Sequence, residues 1–290
     1  MVRNLFGFLK RRTCENLTKR GRGTACKHIH FLGAVSSDVG CVRSNNEDNF
    51  LLGQFSNVSM ESACKYAWSA SENSWILAGI FDGMGGGDAG EIAAYIAAEV
   101  FRTAQEKLDD STSATKVDMI MRECFLTANN MIVDLRRGCG VYGTTGTVLV
   151  ANGTNWKVYH IGDSRVYLFR DGQLVQQSLD QTLAQMKIDV GIYSAEDNRA
   201  TEEKHKLTEY IGKDHTKKHI RPLEGDWMIV HPGDGFLLCS DGLYDMCSEQ
   251  EIAGTIATAS DPIKCVDSLV KAACAHGGDD NVTCLCLQID

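Results

Sequence analysis

The stretch WILAGIFDG (75–83) decides the fold, because a continuous apolar run that ends in Asp-Gly is typical of a fully buried β-strand. GFLLCSDG (235–242) repeats this design. In both stretches a strand brings a carboxylate to its end, and the following glycine lets the backbone turn sharply. The two stretches predict a buried sheet system that carries Asp82 and Asp241 at one edge.

Three further acidic motifs lie beside predicted strands. Glu47-Asp48 comes before NFLL, Asp163 follows VYHIG, and Asp280 comes before NVTCLCL. If these strands share one sheet system, their ends gather six carboxylates, those of Glu47, Asp48, Asp82, Asp163, Asp241 and Asp280. Carboxylates in one pocket cannot all stay ionised without partners, so either their pKa values rise or cations lie among them.

The residue types in these motifs favour hard cations. No His or Cys recurs in them, and an all-oxygen ligand set prefers Mg²⁺ or Mn²⁺, with Ca²⁺ also suitable, over Zn²⁺. Two such ions about 4 Å apart suit phosphoester hydrolysis. Arg43 lies shortly before Glu47 and is the candidate to bind phosphate oxygens. Each motif alone is more often a turn or a surface ion pair, so the hypothesis rests on their joint occurrence.

Composition limits the class of protein. The 290 residues are 43% hydrophobic and 23% charged, an ordinary globular balance that fits one compact domain. The net charge of −9 argues against nucleic-acid binding. Residues 1–30 carry eight basic residues and one acid, a net of +7, which leaves −16 for residues 31–290. Bound cations would relieve the self-repulsion of so acidic a body.

The cysteines and the lack of targeting patterns predict a cytoplasmic protein. The 12 cysteines form no C-x-x-C pair, and their density of about 4% is below that of a disulfide scaffold, so we expect free thiols in a reducing cytosol. The N-terminus lacks the charge-then-apolar order of a secretory signal. No apolar run reaches the length of about 18 residues that spans a membrane, so no integral membrane segment is expected.

Residues 1–30 are predicted to form a basic, flexible N-terminal extension. The alternative is a short amphipathic segment that rests Leu5, Phe6, Phe8 and Leu9 on an anionic membrane surface. The motif CKHIH (26–30) fits no common zinc spacing, so we interpret it as the lead-in to the first strand.

Periodicity and turn signals predict the remaining elements. Strands are expected at 31–35, 49–53, 144–151, 156–161, 166–169, 227–230 and 282–289, and helices at 90–107, 117–137, 248–257 and 262–275. Residues 54–74 are predicted to be a hairpin loop. Residues 176–221 are polar and poorly periodic and are interpreted as an excursion on the core, with a short helix at Glu196–Lys206 and solvated histidines at His205, His215 and His219.

Six motifs occur in a specific order: GCVRSNNEDNF (40–50), AGIFDGMGGGDAGEIAA (78–94), YGTTGTVLVA (142–151), YHIGDSRVYLFRDGQL (159–174), LLCSDGLYDM (237–246) and GGDDNVTCLCLQI (277–289). In these motifs the sequence resembles the PPM, or type 2C, metal-dependent protein serine/threonine phosphatases, the bacterial branch in particular. The resemblance implies an α+β fold, a four-layer α-β-β-α sandwich of two antiparallel β-sheets flanked by helices. It covers residues 31–290 and implies a flap subdomain at about 176–221.

The resemblance also implies a role for each acidic residue. Asp82 would bridge two Mn²⁺ or Mg²⁺ ions. Glu47 and the backbone carbonyl of Gly83 would hold one ion, and Asp241 with Asp280 the other. Asp48 would act mainly through metal-bound water. Asp163 would join Asp241 at a third ion. Arg43 would bind the substrate phosphate. Phosphorylated proteins, including a serine/threonine kinase and its substrates, would be the partners.

Two departures from the family pattern concern the mechanism and the substrate. Met84 stands where animal members carry a histidine that is proposed as a general acid. The segment SLDQTLAQM (178–186) matches the family's flap weakly, which leaves substrate choice open. The alternatives are a non-catalytic regulatory protein of the same fold and a phosphatase that acts on another phosphomonoester.

Overall fold

The structure, a computed structural model, describes residues 30–57, 63–71, 74–85, 89–135, 142–194, 197, 202–214 and 220–289. The described strands form two antiparallel sheets. The first sheet has the order β10-β9-β13-β14-β1-β4. Its strands are β1 (His30–Asp38), β4 (Ala63–Ser71), β9 (Arg165–Arg170), β10 (Gln173–Gln176), β13 (Gly235–Cys239) and β14 (Val282–Ile289).

The second sheet has the order β11-β8-β7-β5-β2-β3, and two short strands, β12 and β6, pair with β8 and β5. Its strands are β2 (Asp48–Leu52), β3 (Phe55–Ser56), β5 (Ile76–Met84), β6 (Gly143–Thr144), β7 (Gly146–Ala151), β8 (Asn155–Ile161), β11 (Leu223–Glu224) and β12 (Met228–Ile229). Most of β2, β5 and β7 is buried, which explains why their sequences are continuous apolar runs rather than alternating ones.

Helices cover the outer faces of both sheets. The described helices are α1 (Ala89–Gln105), α2 (Ala114–Leu135), α3 (Leu183–Asp189), α4 (Asp241–Tyr244), α5 (Glu249–Thr258) and α6 (Pro262–Ala275). Helices α1 and α2 pack on the second sheet around Phe101 and Phe125, while α5 and α6 pack on the first around Ile252 and Leu269. A third apolar cluster fills the space between the sheets. The predicted four-layer sandwich is confirmed.

Local sequence signals account for the helix starts and one hairpin. Ser248 and Glu251 form a capping box at the start of α5. Asp261 caps α6, where a proline occupies the first turn. Asp171 and Gly172 both have positive φ, as the tight turn between β9 and β10 requires.

The loop predicted over residues 54–74 is wrong, because β3 and β4 lie within it. Strand β4 pairs with β1 over nine positions and forms the edge of the first sheet. Its residues alternate between exposed and half-buried positions along most of its length. Its composition is therefore polar, and a polar composition is more typical of a loop than of a strand. An edge strand with one open face needs no continuous apolar run.

The helix predicted at Glu196–Lys206 lies partly outside the described residues. Of the described residues in this segment, Glu202 and Glu203 are helical. Another helix, α3, precedes the segment, and its start is capped by the Thr182 side chain. His215, His219 and residues 1–29, which carry most of the CKHIH motif, also lie outside the described residues. Among the described residues, no helix combines the length and apolar character needed to cross a membrane.

Candidate active site

The two sheets bring carboxylates from distant parts of the chain to one end of the sandwich. Asp48 begins β2 and lies directly opposite Asp82 near the end of β5 in the antiparallel pair. Asp241 begins α4 just after β13, and Asp280 lies just before β14, which pairs with β13. Asp163 occupies the turn between β8 and β9. All four of the other aspartates act electrostatically on Asp82, so the five predicted aspartates form one cluster.

A close approach of three backbone segments places Glu47 beside Gly83. The Gly83 N–H donates to the Glu47 carbonyl oxygen at 3.1 Å. A Cβ atom on Gly83 would lie 2.3 Å from the Gly90 carbonyl oxygen, and one on Gly90 would lie 2.6 Å from Glu47 Oε2. Only glycine fits at these two positions, and the fit holds the Glu47 carboxylate against the start of α1.

Two hydroxyl groups hold the Asp48 carboxylate, but they donate to the same one of its two oxygens. Ser240 Oγ and Thr283 Oγ1 each donate to Asp48 Oδ2 at 2.7 Å. Oδ1 is buried and accepts no hydrogen bond from the described residues. A buried oxygen of this kind is costly unless a ligand or water completes it.

The electrostatics of the cluster disfavour full ionisation. Burial is the largest cause that raises the pKa of Asp48, to about 7, against the opposing hydrogen bonds from Thr283 and Ser240. Burial also raises the pKa of Asp82 well above its usual range, and the charges of the neighbouring aspartates add to the shift. The pKa values of Asp163 and Asp280 rise for the same two reasons, burial first and then the Asp241 charge. A bound cation would reverse these shifts.

Arg43 lies at the mouth of the cluster. Its Nη2 donates to Asp280 Oδ2 at 2.7 Å, and 54% of its side chain is exposed. The guanidinium also lies within the electrostatic reach of Glu47 and Asp241. An exposed arginine at the edge of an acidic pocket can turn toward an incoming anion, since among the described residues Asp280 alone forms a short ion pair with it.

Polar groups that the sequence analysis did not single out support the site. The Asp82 N–H donates to Thr145 Oγ1 at 2.9 Å, and Thr145 Oγ1 lies 2.7 Å from Ser164 Oγ. The Asn281 side chain accepts from the Glu47 N–H and donates to the carbonyl oxygens of Val39 and Asn45. These residues lie within or beside the quoted motifs, so their positions were a signal that could have been used.

His205 is exposed, as predicted, but it also contacts two acidic side chains. Its Nδ1 lies 3.2 Å from Asp241 Oδ2 and its Nε2 lies 3.3 Å from Asp245 Oδ2. The hydrogen bond to Asp241 is the largest cause that raises the pKa of His205. The polar segment around His205 gives no sequence signal for these contacts with α4.

The residues of the cluster fit hard divalent cations. The donors are carboxylate oxygens, together with the Gly83 backbone beside Glu47, and hard ions prefer such a set. The unsatisfied Oδ1 of Asp48 and the raised pKa values show that the described residues do not neutralise the cluster by themselves. The missing positive charge is what a bound Mg²⁺ or Mn²⁺ would supply.

Comparison with known proteins agrees with the fold. Residues 61–269 match the family described as Protein phosphatase 2C, so the chain belongs to the protein phosphatase 2C family. It is 32% identical over 258 residues to the protein phosphatase PhpP of Streptococcus pneumoniae, covering 86% of this chain and 94% of that protein.

A second relative and a solved structure give the same assignment. The chain is 30% identical over 253 residues to the serine/threonine protein phosphatase PstP of Mycobacterium tuberculosis, covering 86% of this chain but 43% of that longer protein. The solved catalytic domain of PstP, in complex with two manganese ions, is 27% identical and superposes with a TM-score of 0.71, covering 90% of this chain and 99% of that one.

Proposed function

We propose that this protein hydrolyses phosphoserine and phosphothreonine esters in other proteins, at a centre of two or three Mn²⁺ or Mg²⁺ ions. The observation that carries the proposal is the carboxylate cluster at one end of the sandwich, which the described residues leave short of positive charge. The protein phosphatase names of the relatives and the two manganese ions of the PstP catalytic domain support it. We assign the phosphatase domain to residues 31–290 and its flap to about 176–221.

We assign the ligand roles that the family resemblance implies, and the positions of the residues support them. Asp82, at the centre of the cluster, would bridge two ions. Glu47 and the Gly83 carbonyl would hold one of them, because their backbones are hydrogen-bonded. Asp241 and Asp280 would hold the other, and Asp163 would share a third ion with Asp241, whose charge acts on it. When bound, the ions lower the pKa of a water molecule and neutralise phosphoryl oxygens.

The chain's own residues then position the substrate and a proton. Arg43 would exchange its contact with Asp280 for the phosphate oxygens, because a guanidinium binds two oxygens of a phosphate at once. The Asp48 carboxylate, held at Oδ2 by Ser240 and Thr283, presents Oδ1 as an acceptor for a hydrogen bond or a proton from water. Positioning and charge neutralisation together are what phosphoryl transfer mainly requires.

Two further assignments belong to this proposal. The partners would be phosphorylated proteins, which the relatives' names as serine/threonine phosphatases support. A serine/threonine kinase and its substrates would be among them, as the family resemblance implies. The location would be the cytoplasm, and the nine described cysteines, which are all free, support it.

The test is hydrolysis of p-nitrophenyl phosphate and of a phosphothreonine peptide by the purified chain with Mn²⁺, with Mg²⁺ and with a chelator. We expect activity on both substrates that disappears with the chelator and returns with Mn²⁺. Activity on p-nitrophenyl phosphate without activity on any phosphopeptide would move the assignment to another phosphomonoester. A chain that binds Mn²⁺ but hydrolyses neither substrate would be a regulatory protein of the same fold.

A further inference from the structure

Two cysteines lie together beside the loop that carries Arg43. Of the nine described cysteines, Cys41 is the one that is exposed, and Cys274 is half-buried near the end of α6. The Cys41 thiol donates to the Cys274 carbonyl oxygen at 3.5 Å. Burial is the largest cause that raises the pKa of the Cys274 thiol, and a hydrogen bond with the Cys41 thiol contributes to the same shift. The two side chains are therefore in contact.

The backbone holds the two cysteines close to each other. The Cys41 N–H donates to the Gly278 carbonyl oxygen at 2.8 Å. A Cβ atom on Gly278 would lie 3.0 Å from Cys41 Sγ and 3.2 Å from Cys274 Cα, and the φ of +56° at this position also favours glycine. The lack of a side chain at Gly278 is what lets Cys41 approach Cys274.

Access from solvent distinguishes this pair from a second pair of neighbouring cysteines. Cys265 Sγ and Cys286 Sγ lie 3.3 Å apart, but these residues are only 4% and 7% exposed, in the apolar layer between the first sheet and α6. Oxidation by a solute requires that the solute reach the sulfur, and a neighbouring second thiol then resolves the oxidised one. The pair of Cys41 and Cys274 meets both conditions, and the buried pair meets only the second.

We propose that Cys41 and Cys274 form a reversible oxidation site, at which hydrogen peroxide converts the two thiols into a disulfide. The Cys41 sulfur attacks the peroxide, so that an S–O bond forms, the O–O bond breaks and one water leaves. The Cys274 sulfur then attacks the Cys41 sulfur, so that the S–S bond forms, the S–O bond breaks and a second water leaves. The peroxide takes up the two electrons that the sulfurs lose, the thiol protons end in the two waters, and a dithiol reverses the reaction.

The effect of the disulfide on hydrolysis rests on the proposed function. Cys41 lies two positions before Arg43, and α6, which carries Cys274, leads into the turn that carries Asp280. A Cβ atom on Gly40 would lie 2.3 Å from the Asp280 carbonyl oxygen, so the two loops are tightly packed and move together. The S–S bond requires the Cys41 thiol to leave the Cys274 carbonyl oxygen, which shifts Arg43 relative to Asp280. We expect oxidation to lower kcat/KM by about threefold to tenfold.

The test is peptide mapping by mass spectrometry of the full-length protein after treatment with hydrogen peroxide. Free thiols are alkylated in the unfolded protein before digestion without reductant. We expect the peptides of Cys41 and Cys274 to be joined after peroxide and to separate after dithiothreitol, while Cys265 and Cys286 stay alkylated. Cys41→Ser and Cys274→Ser should show no such link. Cys64→Ser, at a half-buried position in β4, is the matched control and should form the link as the wild type does.

A second readout connects the link to hydrolysis. After peroxide has been removed, the treated wild type should show the lowered kcat/KM for p-nitrophenyl phosphate with Mn²⁺ and regain it with dithiothreitol, whereas treated Cys41→Ser should keep its untreated value. A wild type without the link between Cys41 and Cys274, or a linked protein with unchanged kcat/KM, would overturn the inference. A wild type that forms the link but hydrolyses nothing before treatment would count against the proposed function instead.

Discussion

Two of the described groups of buried charge differ in how their charges are balanced. Beneath the second sheet, Lys157 is 6% exposed and pairs with Asp118 at 2.8 Å and with Glu224 at 3.2 Å. Arg122 pairs with Glu224 at 2.6 Å, and the Tyr159 hydroxyl donates to Asp118. Two bases face two acids, so this group is neutral within the chain.

The carboxylate cluster has no such balance. Six acidic side chains converge, and of the described cations Arg43 and His205 reach them from the rim. The contrast separates two uses of buried charge. Where the chain supplies both signs, the charges hold elements together, and where it supplies one sign, the other must come from a ligand.

The largest effect is expected for Asp82→Asn. Activity should fall by at least about 1000-fold, or ~4 kcal/mol of transition-state stabilisation, because the proposed bridging ligand loses its charge. The melting temperature of the metal-free protein should not fall, since a disfavoured charge is removed. Phosphatase assays and differential scanning fluorimetry would measure both, with Asp110→Asn as the exposed control. A variant that keeps wild-type activity would contradict the assignment of Asp82.

Lys157→Met should lower stability and leave activity nearly unchanged, the opposite of what is expected for Asp82→Asn. It leaves Asp118 and Glu224 without their shared cation and should lower the free energy of unfolding by about 3 kcal/mol. Hydrolysis by the folded protein should change little, because the group lies away from the cluster. Urea unfolding would measure the loss, and Lys271→Met, at an 80% exposed position, is the control. Equal stability of the two variants would show that the network does not hold α2 to the sheet.

Metal binding should stabilise the protein in a pH-dependent way. Mn²⁺ at 100 times its dissociation constant should add about 2.7 kcal/mol to the free energy of unfolding. The folded pKa of Asp48, about 7, lies above its unfolded value of about 4, so metal-free stability is lost as the pH rises between these values. At one fixed Mn²⁺ concentration, the Mn²⁺-induced rise in melting temperature should thus be larger at pH 7.5 than at pH 5.5, because at the lower pH the ion must displace a proton from Asp48. An equal rise at both values would indicate that Asp48 is not linked to the ions.

The smallest effect is expected for Arg43→Ala. KM for p-nitrophenyl phosphate should rise by about tenfold with a smaller change in kcat, because the side chain is exposed and contacts phosphate in the ground state. Steady-state kinetics would measure both constants. Arg102→Ala, near the end of α1, is the control. A lowered kcat with unchanged KM would assign Arg43 to the transition state instead.

The apolar runs predicted most of the fold because they are long and continuous. Strands β5, β13 and β14 and helices α1 and α6 lie close to where their patterns place them. Strand β4 was missed because an edge strand packs one face only. The carboxylates at strand ends were predicted for the same reason as the strands themselves.

The supporting contacts of the site could not be predicted from periodicity. Ser240 and Thr283, from the first sheet, donate to Asp48 on the second, and Thr145 accepts from the Asp82 N–H. Each of these contacts depends on how distant parts of the chain meet. His205 lies in a polar segment whose path over α4 has no periodic signal. Such contacts are set by tertiary packing, and a linear pattern does not record it.

The two hydroxyls that hold Asp48 have a consequence for how the protein is made. They belong to Ser240 and Thr283, which follow Asp48 in the chain by 192 and 235 positions. Thr283 lies in the last described strand, β14. A nascent chain therefore cannot assemble this corner until residue 283 has left the ribosome, and contacts of such long range also form slowly. Chains that stop before this residue would lack the corner and, under the proposed function, would be inert toward phosphoproteins.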